Sequence, residues 1–108
     1  MANLRIFVGP CDDQGRIYIN EELKMKTQLN VPKVYEEDNL ADGEYRIRFE
    51  LWNTGGWGWH YSVEVRADDK RIGPLAAQGG SGAYNGRIDE ETTEWVLIVK
   101  NGKAESII

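Results

Sequence analysis

The sequence predicts an all-β chain, an antiparallel β-sandwich of the jelly-roll kind with about seven or eight short strands. Three observations lead there. Apolar residues recur with a period of two over most of the chain, as in Tyr45, Ile47, Phe49 and Leu51. Clusters of Asp, Asn and Gly break that period at short intervals. No stretch carries the apolar stripe of a helix. The 108 residues form one domain, 1–108, long enough to bury a core without a metal or a disulfide.

The elements follow in order. Leu4, Ile6 and Val8 alternate with Arg5 and Phe7 until Gly9-Pro10 ends the run. Residues 12–15, Asp-Asp-Gln-Gly, are a turn: Asp bonds its own backbone and Gly accepts positive φ. Ile17 and Ile19 alternate with Arg16 and Tyr18 in a second strand. Residues 23–29 either extend that strand or form a short third one. Residues 31–35 are extended at most, because Pro32 removes a ladder donor and confines them to an edge. Residues 36–39 read as an acidic loop and 41–43 as a turn. The clearest strand follows, with Tyr45, Ile47, Phe49 and Leu51 on one face and Glu44, Arg46, Arg48, Glu50 and Trp52 on the other. Residues 53–56 break it. Trp59, Tyr61, Val63 and Val65 then share one face of the next strand. Residues 67–70 turn, 71–72 make a short return, and the glycine-rich stretch 73–89 reads as a long irregular loop. Residues 92–100 are apolar on both faces, as in a central strand. Asn101-Gly102 is a type I′ hairpin signal, and 104–108 the return strand.

Composition excludes several functions. Thirteen basic against 18 acidic residues give a net charge of −5, which argues against binding nucleic acid or an anionic membrane by bulk charge. No apolar run approaches the ~20 residues of a membrane-spanning helix, so no membrane insertion is expected. The single cysteine, Cys11, excludes an intrachain disulfide and, beside Pro10 and a turn, is expected to be partly exposed. No secretory leader is visible, and a cytoplasmic setting is the default. His60 is the only histidine, so any triad or His-based metal centre must use it. No phosphate-binding glycine motif is present. With no catalytic motif, an enzyme ranks last.

Two stretches resemble the galactose-binding-like jelly roll, a sandwich of carbohydrate-binding modules and lectins. One is residues 12–20, an acidic turn and a strand ending in Asn20; the other is residues 40–56, a Gly turn, an alternating strand and Asn-Thr-Gly-Gly. Together they cover about a quarter of the 108 residues. In this chain Asn20 is followed by Glu21 where the family pattern has Gly. The resemblance implies a non-catalytic domain that binds sugars through loops at one end, sometimes with calcium.

Trp52, Trp57 and Trp59 flank a Gly-rich turn and precede His60 and Tyr61. Aromatic faces suit sugars, because pyranose C–H groups pack on them while planar polar side chains read the hydroxyls. Trp52, on the solvent face of its strand, is the exposed aromatic that marks a contact surface. Trp59 and Tyr61 share phase with Val63 and Val65 and are expected in the core. The expected binding site is therefore Trp52, Asn53, Trp57 and His60. Asp12 and Asp13 join it if the first turn lies at the same end. The acidic turns are the places for calcium, chiefly Asp12 and Asp13, although no cofactor is required. Arg46 and Arg48 with Glu44 and Glu50 read as cross-strand pairs on a wet face. The expected function is a carbohydrate-binding, lectin-like module, a homo-oligomer for avidity. The alternative is an assembly component whose aromatic loop is a subunit contact.

Overall fold

The computed structural model describes residues 2–12, 14–54, 58–79, 85–88 and 91–108. Ten strands run in chain order: β1 (Ala2–Val8), β2 (Gln14–Ile19), β3 (Glu22–Lys26), β4 (Lys33–Leu40), β5 (Gly43–Thr54), β6 (Trp59–Ala67), β7 (Lys70–Gly79), β8 (Asn85–Arg87), β9 (Thr93–Lys100) and β10 (Lys103–Ile107). They form two antiparallel sheets packed face to face, an all-β sandwich. The four-stranded sheet has the order β4-β1-β6-β7. The six-stranded sheet has the order β10-β9-β5-β2-β3, and β8 pairs with β5 beyond the point where β9 leaves it.

The period of two is realised as burial. Leu4, Ile6 and Val8 of β1 and Val63 and Val65 of β6 face Ile17 of β2, Ile47, Phe49 and Leu51 of β5 and Leu97 of β9, all at 2% exposure or less. Each large apolar side chain buried this way contributes about 1.5–3 kcal/mol. Tyr61 joins the core, with its ring centroid 5.1 Å from that of Phe49. Trp59 packs half-buried against it. Cys11 is fully buried rather than partly exposed, because its thiol lies under Gly15, on the core side between the sheets.

The strand count exceeds the expected seven or eight for reasons that lie in pairing. Residues 36–39 belong to β4 and are not a loop. They lie along β1, where the guanidinium of Arg5 reaches Glu36 at 3.4 Å and Asp38 at 2.8 Å. Charges of this kind are common on an edge strand, where they discourage further pairing. Residues 73–79 are not loop either, but continue β7 along β6. Gly73 sits at φ +96°, and a Cβ there would lie 2.8 Å from the Val63 carbonyl oxygen. It makes the irregularity that lets Pro74, which has no N–H to give, ride in an edge strand. Gly79 leaves room for the Trp59 ring, which an added Cβ would meet at 2.7 Å. The ambiguous stretch 23–29 resolves into edge strand β3 and a short exit.

The β4–β5 turn, which crosses from one sheet to the other, and the hairpins β6–β7 and β9–β10 meet at one end. Asn101 and Gly102 have φ of 54° and 75°, as a type I′ turn requires. Both of their N–H groups donate to the Asp42 carboxylate at 2.9 Å. Asp68 accepts from Ala104 at 2.7 Å and Asn3 at 3.0 Å, and these two bonds hold its pKa below the ordinary carboxylate value.

Burial pushes the Cys11 thiol up to about 11, so at neutral pH it is both protonated and enclosed. An aromatic disulfide reagent at pH 8 is expected to modify native protein at the rate of global opening, and urea-unfolded protein within seconds to minutes. Rapid modification of native protein would contradict the enclosure.

Candidate functional site

The residues expected to form one site are divided by the pleat. Trp52 and Asn53 are successive residues of β5 and point to opposite faces. Trp52 is half-buried on the outer face of the six-stranded sheet. Asn53 faces the interior at 1% exposure, with neither its Nδ2 nor its Oδ1 hydrogen-bonded. His60 lies on β6, opposite Gln78, on the outer face of the four-stranded sheet. The thickness of the sandwich thus separates His60 from Trp52, and these three do not share a pocket. Trp57 and Asp13 lie outside the described residues. The Asp12 N–H donates to the His60 carbonyl at 3.0 Å, so the first turn is at the His60 end of the sandwich. Among the described residues, no three His, Cys, Asp or Glu side chains come together as a metal site.

What surrounds Trp52 is a cluster that the sheet order creates. Trp52 stands opposite Gln14 of β2 on one side and Arg87 of β8 on the other. One step down, Glu50 faces Arg16. The Arg16 guanidinium lies over the Trp52 ring, 3.9 Å from its centroid, and its Nε donates to Gln14 Oε1 at 2.6 Å. The Trp52 indole N–H donates to Glu50 Oε1 at 3.0 Å. The other oxygen of Glu50 accepts from Arg48 Nε at 3.0 Å and Arg87 Nη1 at 3.3 Å. Arg48 also bonds Glu21 at 2.7 Å and lies over the Tyr18 ring at 4.4 Å.

Glu50 is the hub. Its side chain is only 3% exposed although it stands on an outer face, because Trp52 and the arginines cover it. Burial alone would raise its pKa. The hydrogen bonds from Trp52 and Arg48 and the charges of Arg48 and Arg87 outweigh burial, and the carboxyl titrates below its ordinary value. A carboxylate held this way fixes the indole edge and two guanidinium groups at once. The result is an aromatic ring framed by planar polar side chains on a rigid sheet.

The sequence marks Trp52 and the Glu50/Arg48 stripe but gives no sign of Gln14, Arg16 or Arg87 as its neighbours. Those come from β2 and β8, and strand order is not written in any one segment. On the opposite face of the molecule, Phe7, Pro32, Val34, Ser62 and Pro74 line an open groove of about 550 Å³.

Comparison with protein-family models, curated proteins and solved structures finds no match. The site is therefore read from its own chemistry.

Glu50→Gln is expected to lower stability by about 1–3 kcal/mol at pH 7, since it weakens three charge-assisted contacts to a covered group. The folded-state pKa is depressed, so the carboxylate's contribution is complete above the unfolded value and disappears as pH falls through the folded one. Urea melts of the two proteins should therefore draw together as pH falls below the ordinary glutamate range and converge only below the depressed folded-state value. A gap independent of pH would contradict the assigned role.

Proposed function

We propose that this domain is a non-catalytic carbohydrate-binding module whose platform is Trp52 on the outer face of the six-stranded sheet. The observation that carries the reading is the Trp52 ring framed by Gln14, Arg16, Glu50 and Arg87. Sugar rings pack their C–H groups on an indole, and planar amide and guanidinium groups bond hydroxyls in defined directions. The resemblance of residues 12–20 and 40–56 to galactose-binding-like jelly rolls points the same way. A platform on an open sheet buries little of a ligand, so single-site affinity is weak and a homo-oligomer would supply avidity. Binding needs no cofactor in this reading.

A second reading, subunit assembly, is favoured by an apolar strip on the other side of the molecule. Val34, 43% exposed, lines the groove with Phe7 and Pro74, and Leu29 and Val31, just before it in the chain, are 55% and 49% exposed. Exposed apolar patches of this kind mark contact surfaces.

On a glycan array, wild-type protein is expected to bind a restricted sugar class, and Trp52→Ala, with an unchanged circular dichroism spectrum, to lose at least about tenfold in affinity. Undiminished binding by Trp52→Ala would remove the platform. Chelator should leave the signal unchanged; its loss would instead place calcium at the Asp12-Asp13 turn. Under the assembly reading, light scattering shows a concentration-dependent mass that Val34→Asp reduces to the monomer, together with a blank array.

A further inference from the structure

The chain carries a net charge of −5, yet the upper half of the Trp52 face is basic. Arg16, Lys26, Arg48 and Arg87 stand there against Glu21, Glu50 and Glu94, which cluster about Arg48 and leave the Arg16–Lys26 side positive. Lys26 is opposite Arg16 on the neighbouring strand β3 and is exposed. Arg48 is committed to its two carboxylates, and Arg87 reaches Glu50.

Arg16 differs from these. Among the described residues it pairs with no carboxylate; its Nε donates to the neutral Gln14 amide oxygen and its guanidinium lies over the Trp52 ring. The stack lays the guanidinium over one face of the Trp52 ring, while its terminal N–H groups have no acceptor among the described residues. A guanidinium fixed against an indole is a ready partner for a planar anion, because its donors match carboxylate or sulfate oxygens in pairs. The chain's overall negative charge opposes an anionic ligand only weakly at that distance. At physiological ionic strength, fields are screened beyond about 8 Å, so the local arginine and lysine dominate.

We propose that the ligand of the Trp52 platform is an acidic saccharide, one whose ring bears a carboxylate or sulfate that Arg16 receives while the ring packs on the indole surface that Arg16 leaves uncovered. This rests on the carbohydrate-binding reading and adds the ligand's charge class. It also gives Arg16 the role of a specificity residue, distinct from the scaffold role of Arg48. Lys26 adds attraction without geometry.

The test is titration calorimetry with a matched pair of probes, trigalacturonate and the corresponding neutral galactose trisaccharide, at low and high salt. Wild-type protein is expected to prefer the acidic probe by about tenfold or more at low salt, with the preference shrinking as salt rises. Arg16→Gln should bring the ratio of the two affinities close to one. Arg16→Lys, which keeps the charge and loses the planar stack, should retain part of it. Lys103→Gln, a change of equal charge at the far end of the sandwich, should leave the ratio as in wild type. Equal binding of both probes by wild-type protein would overturn the charge class and leave the platform standing. A preference that survives Arg16→Gln in a protein with wild-type thermal stability would overturn the assignment to Arg16. If neither probe nor any sulfated trisaccharide binds, this inference falls, while the carbohydrate reading falls only with a blank glycan array.

Discussion

The pleat of β5 divides the molecule's tasks between two faces. Its 12 residues, Gly43–Thr54, alternate between a side that makes the core and a side that makes the candidate site. Ile47, Phe49 and Leu51 are completely buried, and the residues between them, Arg48 and Glu50, with Trp52 next, are held outward by the same geometry. A slip of one residue would exchange the faces, expose the core and bury the charges of Arg48 and Glu50. The register that protects the core therefore also fixes the platform. Because β5 is flanked by β2 on one side and by β9 and then β8 on the other, its outward row is built upon from both sides.

Glu50 shows how such a row becomes rigid. A carboxylate taken nearly out of water costs several kcal/mol unless donors replace the lost solvent. Here Trp52, Arg48 and Arg87 supply them. Long side chains that would otherwise sample many rotamers are tied to one acceptor, so less ordering remains when a ligand arrives. This is the physical difference between a scatter of surface charges and a prepared surface. The same face holds Arg16 over the indole with no carboxylate partner among the described residues, and the proposed preference for an acidic ligand rests on that asymmetry.

Much of this was legible in the sequence. The alternation in residues 44–52 reads directly as a half-buried strand with Trp52 outward, and Asn101-Gly102 as a hairpin, because both signals are local. The core position of Tyr61 follows from its phase with Val63. What was not legible is lateral. That β2 lies beside β5, so that Arg16 meets Trp52, is a property of the whole sheet. Residues 36–39 and 73–79 look like loops by composition, yet edge strands tolerate acidic runs, glycine and proline that central strands do not. The expected grouping of Trp52 with Asn53 and His60 fails for a simple reason. The strand runs on to Thr54, so Asn53 obeys the pleat and turns inward, and the chain then crosses to the other sheet before His60.

The central claim is that ligand meets this molecule at Trp52. The most direct measurement is a two-dimensional nitrogen–proton spectrum of the four tryptophan indoles during titration with trigalacturonate. Trp52 is assigned by its loss in Trp52→Phe. Its indole N–H, bonded to Glu50, is expected to shift progressively with saturation, while those of Trp59 and Trp95, packed against or within the core, stay in place. Binding that moves the Trp59 signal and leaves Trp52 unmoved would contradict the account and put the site at the opposite sheet.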